Sequence, residues 1–166
     1  MRREKNFTAK HMAEKSVRVF LDSNVILSGL FSEAGPLRMI LDLLCLDLPM
    51  LQGLTGAFNL AEIERNLNKK MPAALPVYLE YASKIKLEVI PLPPLSLISK
   101  LVGRTAEKDL PVLASALIGR ADYLVTGDRK DFSVKKLKGE YPFRVITPAE
   151  LIDSVLTGIF SELGME

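Results

Sequence analysis

The sequence predicts an α/β fold, a three-layer α/β/α sandwich around a mostly parallel central sheet. Three observations carry that prediction. Short apolar, β-branched runs alternate along the chain with stretches of helical apolar spacing. The runs are close to continuously apolar, as in strands buried on both faces. The segment 105–132, TAEKDLPVLASALIGRADYLVTGDRKDF, reads as helix, tight turn, strand and acidic loop in direct succession. There Val112, Leu113, Ala116 and Leu117 fall at helical spacing from Asp109, and Gly119 sits where a left-handed helix stop belongs. Ala121-Asp122-Tyr123-Leu124-Val125-Thr126 follows as a buried strand, and Gly127-Asp128-Arg129 ends it with turn chemistry. Asp109 thus opens a helix and Asp128 lies just past the next strand. In open α/β sheets ligands bind beyond the carboxyl ends of the strands.

Taken in order, residues 1–16 are charged throughout and read as an extension outside the core. A single domain spans residues 17–166. Val17-Arg18-Val19-Phe20-Leu21 forms a first strand and ends in the polar triplet Asp22-Ser23-Asn24. Residues 25–30 resume as a helical turn or two. A second helix starts near Pro36, a residue suited to the first helical position, and runs to about residue 46. Residues 51–55 read equally as strand or loop. A helix over residues 60–70 carries Leu60, Ile63 and Leu67 as its apolar stripe, and Pro72 and Pro76 then break the pattern before a helix over 76–84. Leu87-Glu88-Val89-Ile90 is a clear strand. Pro91-Leu92-Pro93-Pro94 after it is an extended connection, because prolines give no donors to a sheet ladder. A short helix over 96–102 stops at Gly103. Phe143-Arg144-Val145-Ile146 is the last strand. Thr147-Pro148-Ala149-Glu150 is a capping box with proline at its first helical position, and Leu151, Ile152, Val155, Leu156 and Ile159 give the closing helix its buried face.

Composition narrows the chemistry. The chain has 166 residues, 48% hydrophobic and 25% charged, which suits one globular domain with a sizeable core. A net charge of +2 permits a nucleic-acid partner without requiring one. A single cysteine, Cys45, excludes an internal disulfide and any zinc cage built on two thiolates, and its leucine neighbours predict a buried, inert thiol. A single histidine, His11, lies near the N-terminus, so a Ser-His-Asp triad or a histidine metal site fits poorly. No apolar run is long enough to span a bilayer and no signal-type apolar region follows the start, so a cytoplasmic location is expected. Any chemistry falls to the carboxylates.

Each acid has a plain structural alternative. Asp22 closes a buried strand, where a charge is costly unless paired, and it reads equally as an Asx-turn. Glu62 lies three residues after Asn59, so Asn59-Leu60-Ala61-Glu62 also reads as a capping box. Asp109 also suits a plain N-cap, with Pro111 in the first turn, and Asp128 an ordinary turn. Taken jointly, two acids follow strand ends and two lie near helix starts, which a sandwich fold can bring into one cleft. Such an all-oxygen site suits Mg²⁺ or Mn²⁺, and a metal pair about 3.5–4 Å apart can stabilise both the attacking and the leaving oxygen of a phosphoryl displacement.

Four motifs carry a resemblance to the PIN domain, the fold of toxin ribonucleases of the VapC type. Phe20-Leu21-Asp22-Ser23-Asn24-Val25-Ile26 resembles the family's opening strand and first metal-binding acid. Ala61-Glu62-Ile63 is similar to its acid-bearing helix. Asp109-Leu110-Pro111-Val112-Leu113-Ala114-Ser115-Ala116 matches its Asp-plus-apolar-helix motif. Ala121 to Asp128 matches its strand and closing acid. The resemblance covers residues 17–150 and implies an endoribonuclease in which Asp22, Glu62, Asp109 and Asp128 hold Mg²⁺ or Mn²⁺ and a metal-activated water attacks RNA. It implies that Asn24 and Thr126 orient ligands or water, that an antitoxin is the partner of a toxin, and that the chain forms a homodimer. The surface around residues 91–95 and the Leu-rich helix at 41–48 are the two candidate interfaces. Glu64 competes with Glu62 for its role, and Asp131 reads as peripheral. Arg129, Lys130, Lys135, Lys136 and Lys138 read equally as an RNA path or a solvated basic loop. The N-terminal extension and the proline-rich connection depart from the short toxins. Two other readings stay open: a PIN-fold RNA- or DNA-processing nuclease without an antitoxin, and a non-catalytic α/β module that binds RNA or protein. A nucleotide-binding α/β protein fits less well, because no Gly-rich phosphate loop follows the first strand.

Overall fold

A computed structural model of the chain describes residues 16–127, 140–162 and 164. The acid Asp128, the loop charges Arg129, Lys130, Asp131, Lys135, Lys136 and Lys138, His11, and most of the expected N-terminal extension lie outside the described residues, as do the side chains of Val155, Leu156 and Ile159.

Among the described residues five strands form one parallel sheet: β1 (Val17–Leu21), β2 (Leu51–Gly56), β3 (Leu87–Ile90), β4 (Tyr123–Val125) and β5 (Arg144–Ile146), in the order β3-β2-β1-β4-β5. The register pairs Phe20 with Leu54 on one side and with Leu124 on the other, so β1 is the central strand. Residues 51–55, open between strand and loop in sequence, become β2 because both of its neighbours bury it. The helices are α1 (Ser23–Leu30), α2 (Pro36–Cys45), α3 (Ala57–Lys70), α4 (Leu75–Ala82), α5 (Leu95–Leu101) and α6 (Leu110–Ile118). A closing helical segment, α7, runs from Pro148–Glu150 through a π-helical stretch, Leu151–Leu156, into Thr157–Glu162. Its start is the expected cap, with Thr147 Oγ1 accepting from the Glu150 amide at 3.2 Å.

The inner strands β1, β2 and β4 bury both faces, as their continuous apolar runs predict, while the edge strands β3 and β5 leave residues exposed. Val19 and Leu21 of β1 join a core with Ile40 and Leu41 of α2 and Ile63 and Leu67 of α3. Phe20, between them, points to the other face and packs with Leu54, Leu113 and Leu124. One α3 residue breaks this division. Phe58, in the first turn, packs against the second core, while Ile63 and Leu67 pack against the first. Helix α3 therefore starts across the carboxyl end of the sheet.

Three sequence expectations change. Helix α3 begins at Ala57, three residues before the predicted start, with Gly56 at its cap and no side-chain cap bond. Asn59 is therefore inside the helix and fully buried, and Asn59-Leu60-Ala61-Glu62 is not a capping box. Gly119 is not a left-handed stop: its φ is −71°, and Arg120, at φ 50°, takes the left-handed position. Glycine is needed at 119 for space. A Cβ there would stand 3.0 Å from Leu54 Cδ2 and 3.1 Å from Ile90 Cδ1. Cys45, expected to be buried, is half-buried, and burial raises its thiol pKa. Of the candidate interfaces, Leu92 and Leu95 are exposed, whereas Leu41 and Leu44 are core and Leu46 alone of those leucines is strongly exposed.

The Gly119 carbonyl also accepts from Arg18 Nε at 2.9 Å and Nη2 at 2.7 Å, which ties the end of α6 to β1. Gly119→Ala keeps an allowed backbone and removes only the space, so it should cost about 1–3 kcal/mol by overpacking. Urea unfolding of Gly119→Ala alone and with Ile90→Val tests this. The second change should recover part of the loss, and a stabilised Gly119→Ala protein would contradict the packing argument.

Candidate active site

The strand order places a reversal between β1 and β4: the chain builds outward through β2 and β3, then crosses back to β4 beside β1. A ligand site in an open parallel sheet is expected beyond the carboxyl ends at such a point. Asp22 stands there. Its amide donates to the Val125 carbonyl at 3.1 Å, which joins the ends of β1 and β4.

The Asp22 side chain is held from three sides. Oδ1 accepts from the Ser23 amide at 2.8 Å and from Asn59 Nδ2 at 3.3 Å. Oδ2 accepts from Thr126 Oγ1, just past β4, at 3.1 Å. Asn59 Nδ2 also donates to Ser23 Oγ at 2.9 Å, so one buried amide links α3 to the start of α1. The first bond is an N-cap, the plain alternative raised by the sequence. The cap does not exhaust the residue's role, because Asp22 also lines a cleft of about 450 Å³.

Glu62 and Asp109 line that cleft with Asp22, as do Ser23, Asn24, Phe58, Arg65, Asn66, Lys108 and Val112. Glu62 comes from α3 where the helix passes the end of the sheet. Glu64 is exposed and does not line the cleft; burial, and after it the Glu64 charge, raises the pKa of Tyr78. Asp109 ends a 3₁₀ turn, Glu107–Asp109, and takes the cap position of α6 with a right-handed backbone and no side-chain cap bond. Its carboxylate is therefore not explained as an N-cap. Of the sequence-derived set, Asp22, Glu62, Asp109 and Asn24 meet in one cleft, and Thr126 is buried behind Asp22.

Sequence reasoning missed Asn59, Phe58, Arg65, Asn66 and Lys108. The signal for the helical ones was the spacing from Glu62: residues at i−4, i+3 and i+4 share its face of a helix.

The electrostatics follow from placement. Burial pushes the Asp22 carboxyl from 3.8 up to about 6, and the Glu62 and Asp109 charges push the same way. The bonds from Ser23 and Thr126 pull it down and do not win. The cleft's acidic, amide and hydroxyl groups offer a hard cation oxygen donors, with no thiolate or imidazole among its lining residues. Among the described residues no three acids, histidines or cysteines are gathered into a ready metal cluster.

No protein-family model matches the chain, and no curated protein matches it. Among solved structures, the chain is similar to VapBC2 from Rickettsia felis, bound to a DNA fragment from its promoter, at 18% identity and a TM-score of 0.59, covering 79% of this chain and 98% of that one. It is similar to PAE2754 from Pyrobaculum aerophilum at 19% identity and a TM-score of 0.58, over 85% of this chain and 96% of that one. It is also similar to a toxin–antitoxin complex from Klebsiella pneumoniae at 21% identity and a TM-score of 0.53, over 78% and 97%. The likeness is one of fold: the chain has the PIN-like three-layer architecture. No helix among the described residues is long and apolar enough to cross a membrane.

The folded protein holds the Asp22 proton more tightly than the unfolded chain. The stability this lends is fully present below pH 3.8 and is lost as pH rises through about 6. Asp22→Asn removes that loss and keeps an acceptor for the Ser23 amide. Without divalent metal it should be about 1–3 kcal/mol more stable than wild type at pH 7, with the gap closing toward pH 4. Thermal unfolding across that range checks it, and a variant less stable than wild type at pH 7 would contradict the electrostatic picture.

Proposed function

We propose that the protein is a metal-dependent endoribonuclease that hydrolyses RNA phosphodiester bonds with Mg²⁺ or Mn²⁺. The observation that carries this reading is the convergence of Asp22, Glu62 and Asp109, from three separate elements, on one cleft beyond the central strand. Capping requires no such meeting. Asp22, Glu62 and Asp109, with Asp128, which follows β4 in the sequence, are the residues that would hold the cation. Bound there, it supplies charge stabilisation at the phosphate and a water of lowered pKa. The chain's own residues do the rest. Thr126 and the Ser23 amide fix the two Asp22 oxygens, Asn59 braces the start of α1, and Asn24 sits in the cleft to orient water or phosphate.

The reading extends to biology. Solved neighbours include VapBC assemblies and a toxin–antitoxin complex, which supports a toxin held in check by an antitoxin. The reading includes a homodimer, for which the exposed Leu92 and Leu95 after β3 are one candidate surface. A PIN-fold processing nuclease without an antitoxin has the same cleft. Expression with and without a small neighbouring gene product separates the two, since a toxin is relieved by its antitoxin. A non-catalytic module has one point in its favour, the absence of a gathered three-residue cluster among the described residues.

The deciding experiment is cleavage of a mixed RNA pool with Mg²⁺, with Mn²⁺ and with chelator. Wild type should cut only with metal. Asp22→Asn should lose on the order of 100-fold or more, beyond the 10–100-fold typical of a supporting residue around a metal, while being the more stable protein. Metal-independent cutting, or an Asp22→Asn protein as active as wild type, would end the reading.

A further inference from the structure

The α3 wall of the cleft carries two residues that metal binding does not use. Phe58, Glu62, Arg65 and Asn66 all line the cleft, at spacings that put them on one helix face. With a helix rise of about 1.5 Å per residue, Phe58 lies about 6 Å along the axis to one side of Glu62 and Arg65 about 4.5 Å to the other. Phe58 is half-buried: part of its ring packs on the second core and part lines the cleft. Arg65 is exposed, and no described carboxylate forms an ion pair with it although the cleft holds three. Lys108, beside Asp109, adds a second cation to the lining.

We propose that this helix face is a nucleotide subsite for single-stranded RNA: Arg65 holds a phosphate next to the bond that is cut, and Phe58 stacks under a base on the far side of Glu62. The proposal rests on the nuclease reading and deepens it. A cleft that only held a cation would need acids and water. An aromatic ring and an arginine set in line on either side of the acid are instead the two parts of single-strand recognition, a stacking platform and a backbone clamp. The guanidinium fork matches phosphate oxygens in a way an amide or hydroxyl does not. A paired base has no free face for Phe58, so the subsite selects unpaired strands.

The test is binding of a fluorescein-labelled single-stranded oligoribonucleotide to Asp22→Asn protein with Mg²⁺, read by anisotropy over a salt series. Folding of each variant is checked by thermal unfolding. Arg65→Gln should weaken binding and lower the slope of log affinity against log salt by about 0.7, the value for one single-strand phosphate. Arg65→Lys should keep the slope. Phe58→Leu keeps apolar packing without a π face and should bind about tenfold more weakly at an unchanged slope, while Phe58→Tyr binds like the parent. RNA duplex of the same sequence should bind more weakly. If RNA is bound but Arg65→Gln leaves the slope unaltered, or folded Phe58→Leu binds like the parent, the subsite is overturned and the nuclease reading stands. Tighter binding of single-stranded DNA of the same sequence also overturns it. If the parent binds no RNA and wild type cuts none, both fall together.

Discussion

A carboxylate at the end of the central strand constrains the rest of this structure. Asp22 stands where β1, flanked on both sides, releases the chain, and its carboxylate is largely buried. A charge in that position must be met by donors or it destabilises the fold. Three donors meet it, each from a different part of the chain: Ser23 at the start of α1, Asn59 within α3 and Thr126 past β4. They fix the carboxylate without offsetting its burial and the two acids nearby, so its pKa remains high. The carboxylate is held in place while its charge stays uncompensated. A proton or a cation relieves it.

The opposite end of β1 is arranged on different terms. Arg18 donates from its backbone to Asp122 Oδ2 at 2.8 Å and from its side chain to the Gly119 carbonyl, and pairs with Glu88 at 2.8 Å. The Glu88 pair is partly exposed and contributes less than about 1 kcal/mol. The bonds to Gly119 and Asp122 fix the turn between α6 and β4, and so the register of β4 against β1. That register places Thr126 opposite Asp22. The amino end of the central strand thus sets the geometry that the carboxyl end uses.

Most of the fold was legible because its strands are apolar on both faces and its turns carry Pro and Gly. Asp22, Glu62 and Asp109 were legible as residues, though not as a meeting, since sequence spacing does not show that α3 crosses the end of the sheet. Asn59 was misread because Asn three residues before Glu imitates a cap. The signal against that reading was Gly56 at the end of β2, which lets the helix begin directly at Ala57. Gly119 was misread because glycine after a helix usually marks a left-handed turn. Here its missing Cβ admits Leu54 and Ile90, contacts from distant strands that no local pattern reveals. Phe58 and Arg65 were passed over because an aromatic at a helix start reads as core and a helical arginine as solvated surface.

Capping alone does not account for the electrostatics of Asp22. It caps α1, as an Asx residue after a strand commonly does. A carboxylate whose only task is capping is stabilised in its charged form by the amide it binds and by the helix dipole, so its pKa falls. The Asp22 pKa rises instead, because burial and the charges of Glu62 and Asp109 outweigh the cap. Thr147 gives the contrast within the same chain: a cap that carries no charge, placed where none is needed. Threonine or serine would cap α1 as well, so capping alone does not account for an acid buried beside two others.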